Sequence, residues 1–338
     1  MQDEYSLAKV YADIGRYEEA LELFVKCVSA YPQNIRACLR AAECFFALDR
    51  EQECEEYLKR ALQLPGVVAR QYLRIGQIYF DLEQYKKALR VFLKGRKLEP
   101  GNYDLNLEIG NCHNVMQNHT KEIEYTREAI QICPRRVEAY FNLGKLYLDL
   151  GRHRESVILL RQALKIDPRD PGIYYYLANN LFELDKLDEA IDYLHRAVSI
   201  DPEYYRGYYM LGALNREQGL YSEAIPFFET HLAYRPESAD TFYYLGDCYF
   251  ETRQYDKAID HYRKALELNP YDDYAYYDLA CAYAVIGEGK QAVQALQQAM
   301  NINQEETLRE ARQDPNFFIL KDDPKFIALI NQSQSESQ

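Results

Sequence analysis

No stretch of the 338-residue chain approaches the ~20 consecutive apolar residues that a membrane-crossing helix requires, so no membrane insertion is expected. The opening Met1-Gln2-Asp3-Glu4 lacks the basic start of a secretory signal. Basic charge is also short. Lys plus Arg is 40 against 53 for Asp plus Glu, a net charge of −13. That balance excludes a nucleic-acid binder working by phosphate neutralisation and disfavours anionic membranes. Histidine is scarce, with six residues and no H-E-x-x-H spacing, so no metal is expected. The eight cysteines include no C-x-x-C pair, and each falls inside a helical pattern where small residues suffice. They read as free, packing thiols in a reducing cytosol, which makes the expected location cytoplasmic.

What the chain does have is a core and a period. Apolar residues make up 48% and charged residues 28%, enough to bury a substantial interior. Pro32, Pro100, Pro134, Pro168, Pro202, Pro236 and Pro270 are separated by multiples of 34 residues, with Pro65 one residue early. Taking residue 1 as position 1, units begin at 1, 35, 69, 103, 137, 171, 205, 239 and 273. Apolar or small residues recur at positions 4, 7, 8 and 11, as in Tyr140, Leu143, Gly144 and Tyr147, and write one face of a first helix, A. Position 15 is often glycine (Gly15, Gly151, Gly219, Gly287), which suits the left-handed end of a helix. Acidic pairs such as Glu18-Glu19 and Asp188-Glu189 then open a second helix, B. Its inner face is Ala20, Phe24 and Cys27, or Ala258, Tyr262 and Ala265, with small residues letting the helices approach. Proline at position 32 ends it.

This pattern resembles the tetratricopeptide repeat (TPR), whose signature is aromatic-x2-Leu-Gly-x2-Tyr, then Ala-x3-Phe-x2-Ala and Pro. The eighth unit carries Phe242, Leu245, Gly246, Tyr249, Ala258, Tyr262, Ala265 and Pro270 at the signature positions. The resemblance implies an all-α, right-handed superhelical solenoid of about nine helix-turn-helix units (1–304). A C-terminal capping helical segment (305–331) and a disordered tail (332–338) are expected to follow. The run from Ala311 to Ile327 is similar to the ending of many bacterial TPR proteins, which implies a bacterial origin. Phe317, Phe318, Leu320, Phe326, Ile327, Leu329 and Ile330 are expected to cover the last unit, or else to pair with a second copy as a homo-oligomer. The fourth unit departs most from the pattern, with His113, Glu122 and Thr126 at core positions, and is expected to pack poorly.

No catalytic constellation stands out, so the chain is read as a non-enzyme with no cofactor. Gly287-Glu288-Gly289-Lys290 lacks the spacing and the Ser/Thr of a phosphate loop. The resemblance places function on the concave groove lined by A helices, whose positions 2, 5, 6, 9, 12 and 13 point inward. Units 1–3 display Lys9, Arg36, Arg40, Arg70 and Arg74 against Asp13, Glu43 and Asp81, a balance of +2. Units 5–9 display Lys145, Arg206 and Arg216 against eight carboxylates, Asp247 and Asp278 among them, a balance of −5. A carboxylate-bearing ligand end would favour the first section and a basic segment the second.

Chaperone-binding TPR domains hold two carboxylates with a clamp of Lys, Asn, Asn, Lys and Arg. Here Arg70 and Arg74 match its last two charges, while Asn111 and Asn142 keep the asparagines of a clamp that lacks its cations. Asn179 repeats the position of Asn111 two units on, and Phe141, Tyr175, Tyr209, Tyr243 and Tyr277 form a ladder at position 5 that suits either peptide recognition or inter-unit packing. The expected function is a protein-interaction scaffold that binds a peptide or protein segment in the groove. The alternatives are a self-assembling structural protein or an accessory module of a larger enzyme or of a secretion or assembly complex.

Overall fold

A computed structural model describes residues 2–331; the stretch 332–338, read above as a disordered tail, lies outside the described residues. Two compact bodies make up the chain, Met1–Asp167 and Pro168–Gln338. The first consists of five antiparallel helix pairs: α1 (Gln2–Asp13) and α2 (Tyr17–Ala30), α3 (Ile35–Ala47) and α4 (Glu51–Gln63), α5 (Ala69–Asp81) and α6 (Tyr85–Leu98), α7 (Tyr103–Val115) and α8 (His119–Ile132), α9 (Val137–Asp149) and α10 (His153–Ile166). The second continues with α11 (Pro171–Phe182) and α12 (Leu187–Ile200), α13 (Tyr205–Glu217) and α14 (Tyr221–Tyr234), α15 (Ala239–Glu251) and α16 (Tyr255–Leu268), α17 (Asp273–Val285) and α18 (Gly289–Ile302). It closes with α19 (Gln304–Ala311), a 3-10 helix (Pro315–Leu320) and α20 (Pro324–Ile330). The described residues contain helices and turns and no strand.

One turn recurs in every pair. The residue at position 15 sits in the left-handed region, and the next N–H returns to the carbonyl at position 11, as Arg16 does to Tyr11 at 2.9 Å and Gln254 to Tyr249 at 2.8 Å. Glycine supplies that conformation at Gly15, Gly151, Gly219 and Gly287, but Asp49, Glu83, Gln117, Asp185 and Arg253 adopt it with a side chain, at φ of 55 to 60°. There the turn is imposed by the packing of the two helices, against the local preference.

The core of each pair is one large side chain from helix B laid over a small residue of helix A. Phe24, Leu58, Phe92, Leu160, Leu194, Phe228, Tyr262 and Leu296 are all fully buried at position 24. Beneath Phe92, Leu160, Phe228 and Tyr262 lie Gly76, Gly144, Gly212 and Gly246, where a Cβ would fall within 2.8 Å of the covering side chain. An added Cβ at these glycines would make the covering side chain or the helices shift. The fourth pair keeps this geometry with Thr126 over Gly110. The poor polar packing expected there holds for His113, whose buried Nδ1 has no hydrogen-bond partner, but not for Glu122, whose carboxylate accepts from Asn114 Nδ2 at 2.8 Å and lies 3.5 Å from His119 Nδ1. Burial nonetheless holds the Glu122 carboxyl above the usual range.

Phe317, Leu320, Phe326 and Leu329 seal the end of the second body against α17 and α18. Phe318 and Ile327, expected in the same seal, face solvent instead, with Phe318 62% and Ile327 39% exposed. Three residues per turn in the 3-10 helix stack Phe317 and Leu320 on one side and turn Phe318 and Ile319 outward.

Candidate functional site: the face of the first helices

Successive first helices touch within each body, α3 with α5 and α5 with α7 in the first, α13 with α15 and α15 with α17 in the second, so within each body their exposed sides form a face. In the first body the candidate cations divide into two groups. Arg40 Nη1 donates to Glu43 at 2.9 Å, and Arg74 Nε donates to the other oxygen of the same carboxylate at 2.6 Å. Glu43 thereby occupies Arg74, one of the two arginines expected to meet a ligand carboxylate, together with Arg40, and a ligand would have to displace it there. Lys9, Arg36 and Arg70 remain exposed and make no ion pair with any described residue.

Next along this face runs a chain of amides. Gln77 Nε2 donates to Glu108 at 3.2 Å, Asn111 Nδ2 donates to the second Glu108 oxygen at 3.2 Å, and Asn142 Nδ2 donates to Asn111 Oδ1 at 3.2 Å. The structure therefore brings Asn111 and Asn142 together. One contact recurs between the first helices of adjacent units: position 9 of a unit meets position 6 of the next, as in Glu43 with Arg74, Gln77 with Glu108, and Asn111 with Asn142. The rungs are built into the repeat, because residues 31 apart in sequence come level on adjacent helices.

In the second body a cavity of 550 Å³ is lined by its own first helices α11, α13 and α15. Tyr175, Asn179, Tyr209, Met210, Arg216 and Tyr244 are among its lining residues, which unites three of the candidate site residues around one hollow. The aromatic rings hold one another. Tyr209 packs against Phe228 at 6.1 Å, His231 at 5.2 Å and Tyr244 at 6.0 Å between centroids. Tyr243 and Tyr277 lie further along, and both hydroxyls are used within the body. Tyr243 donates to Asp278 at 2.8 Å and Tyr277 donates to Asp314 at 2.8 Å. Those two tyrosines are thus framework by their hydroxyls, while Tyr175 and Tyr209 are framework by their rings and still line the hollow.

Two groups here escaped sequence reading. His231 occupies position 27, where other units carry Ala, Gly or Cys, and it is buried with Nδ1 2.9 Å from Thr241 Oγ1; that hydroxyl in turn lies 2.8 Å from Ser238 Oγ. Burial and the nearby Arg235 push the imidazole below its ordinary range, so it stays neutral as a packing group. Asp314, which precedes the Pro315 that opens the 3-10 helix, brings a cap carboxylate to the end of the tyrosine ladder. An Asp immediately before Pro is a helix-start signal in the sequence, but its reach to Tyr277 is not.

Repeating helix pairs with a small-residue seam and a helix-capped end define a helical repeat solenoid. Models of the tetratricopeptide repeat match residues 12–64, 73–137, 137–170, 154–214, 205–238, 239–272 and 261–302, and the chain belongs to that family. Among curated proteins it is 25% identical over 90 residues to the Hsp70-Hsp90 organizing protein of Triticum aestivum, a match covering 27% of this chain and 16% of the relative. The matched stretch is thus about a sixth of that relative's length. The protein described as YrrB, "a TPR protein with an unusual peptide-binding site", superposes with a TM-score of 0.51 at 20% identity, over 55% of this chain and 97% of that one. A chain of the Cut9-Hcn1 hetero-tetramer of the APC/C gives a TM-score of 0.53 at 17% identity, over 81% of this chain and 54% of the other. At these identities the two structures establish the fold alone. No described helix is long and apolar enough to cross a membrane.

Proposed function

We propose that the protein is a non-catalytic scaffold that holds an extended or helical segment of a partner protein along the face of its first helices. The observation that carries this reading is the 550 Å³ hollow of the second body, open to solvent, where aromatic faces, an amide, a guanidinium and the carboxylates of Glu183 and Glu217 converge. Rigid tyrosine rings offer contact area at little ordering cost, and Asn179, whose Nδ2 donates to the Tyr175 carbonyl, leaves its amide oxygen to accept a directional bond, while Arg216 is held in place by Asp247. The wheat relative is named for organizing Hsp70 and Hsp90, and YrrB is described by a peptide-binding site, which supports the same class of role here. Affinity capture with the wild type and with an Asn179→Arg, Ala213→Arg variant tests it. The partner should be lost from the variant, whose helical content must remain intact; equal capture by both would place binding elsewhere.

A second reading rests on the cap. Phe318 and Ile319 project from the 3-10 helix, 62% and 61% exposed, and offer a small apolar contact for a second copy. Mass in solution measured over a hundredfold concentration range should rise for the wild type and stay monomeric for Phe318→Ser, Ile319→Ser. A concentration-independent monomer mass for the wild type would remove this reading.

A further inference from the structure

We propose that Asp278, with Asp247 and Asp314 beside it, receives a Lys or Arg side chain of the bound segment, so that the partner is anchored by a cation at the far end of the second body's binding face. The inference rests on the scaffold reading above and specifies its ligand. It begins from the rung rule. Where position 9 meets position 6 in the first body, the pairs are an ion pair, an amide with a carboxylate, and two amides. The same rung between α15 and α17 is Asp247 with Asp278, two carboxylates.

What surrounds that rung does not neutralise it. Arg216 is ion-paired with Asp247. Asp278 accepts one hydrogen bond, from Tyr243, and makes no ion pair with a described residue. Asp314 accepts from Tyr277 at 2.8 Å and from Cys281 Sγ at 3.5 Å, and is likewise without a cation. Three carboxylates therefore share one guanidinium. Burial, with the charges of Asp247 and Asp314, pushes the Asp278 carboxyl up to about 7, while the Tyr243 hydroxyl and Arg216 pull the other way.

A second observation points to the same place. Tyr262 rises from α16 beneath Gly246, fully buried, with Asp278 and Asp247 as the charges that bear most on its hydroxyl, yet that hydroxyl makes no hydrogen bond. A sealed phenol without a partner beside an uncompensated carboxylate is an incompletely satisfied polar cluster. A cation arriving at Asp278 would hold it in the charged form, the stronger acceptor for the Tyr243 hydroxyl.

The ligand chemistry follows from the geometry. Among the described residues no three His, Cys, Asp or Glu side chains lie close enough together to hold a metal ion. Asp278 is half-buried, so a charge at the tip of a long, thin side chain suits it better than a bulkier group, with the backbone that carries it lying toward Arg216 and the 550 Å³ hollow. Lysine and arginine meet that description, the latter with the bidentate fork that suits a carboxylate.

The test is selection of a displayed library of random 12-residue peptides on the full chain, followed by affinity measurement with the selected peptides. Selected sequences should carry Lys or Arg at one register. Replacing that residue by Gln, or Asp278 by Asn, should weaken binding at least tenfold, and wild-type binding should be tighter at pH 8 than at pH 6. Peptides that bind without a fixed cation, or that bind Asp278→Asn as well as the wild type, would overturn the anchor while leaving the scaffold reading intact, provided Asn179→Arg, Ala213→Arg abolishes their binding. A failure to select any peptide, or selected peptides indifferent to both variants, would overturn the scaffold reading itself.

Discussion

Asp278→Asn should stabilise the protein, and the gain should depend on pH. The folded carboxyl keeps its proton up to about 7, against 3.8 for an unburied aspartate. Between those values the folded state binds more protons than the unfolded chain, so stability falls as pH rises from about 4 to about 7 and is flat above. At about 1.4 kcal/mol per tenfold change, the full interval corresponds to on the order of 4 kcal/mol. Asp278 keeps part of its surface in water, which screens the repulsion, so about 1–3 kcal/mol is the expected gain for the variant above pH 7.

The groups responsible come from every side. Tyr243 and Asp247 approach from α15, Arg216 from α13, Tyr262 from α16 and Asp314 from the start of the 3-10 helix, while Cys281 lies on Asp278's own helix. Asparagine keeps an acceptor for the Tyr243 hydroxyl, so the substitution removes charge and little else. Urea unfolding followed by circular dichroism at about pH 5.5 and pH 8, with hydrogen exchange to place the change in residues 239–302, gives the comparison. The advantage of the variant should be roughly twice as large at the higher pH. An Asp278→Asn protein no more stable than wild type at pH 8, or a gain equal at both pH values, would refute the reasoning.

Three further outcomes follow from the packing. Gly246→Val places a Cβ 2.6 Å from the Tyr262 ring and should cost about 1–3 kcal/mol in thermal unfolding, whereas the same change at exposed Gly101, with open space around it, should cost under about 1 kcal/mol. Arg253→Gly should stabilise the chain by about 1 kcal/mol, because Arg253 holds φ at 60° where glycine carries no steric penalty; a loss of stability would show that the arginine side chain contributes more than its strain costs. Thr241→Val strands the buried Nδ1 of His231 and should cost about 1–3 kcal/mol, measured by urea midpoint, and a neutral result would mean that the 2.9 Å contact contributes nothing.

The repeat architecture was legible in the sequence because each helix pair is written locally. The glycine at position 15 where present, the small residue at 8 and the large one at 24 are one-dimensional signals with a direct geometric cause, whereas the five non-glycine residues that take the same turn carry no such signal. Polar pairing was less legible because it depends on the next unit. Arg40 and Arg74 stand out as groove cations in sequence, and only the register of α3 against α5 shows that Glu43 already joins them. Glu122 looked like a buried liability until Asn114, on the preceding helix, proved to be its donor. The cap misled for another reason: its apolar residues read together as one cover, whereas in a helical turn neighbours such as Phe317 and Phe318 point to different sides and only Phe317 is buried.

The central claim is that a partner segment lies on the face of the first helices in the second body. Site-specific photo-crosslinking in a lysate of the source cell tests it most directly, with benzoylphenylalanine placed singly at Asn179 and Ala213 on that face and at Arg196 and Arg263 on the second helices. The account predicts one discrete protein crosslinked from Asn179 and Ala213 and not from Arg196 or Arg263. Crosslinks to a partner from Arg196 or Arg263, with none from Asn179 and Ala213, would contradict it.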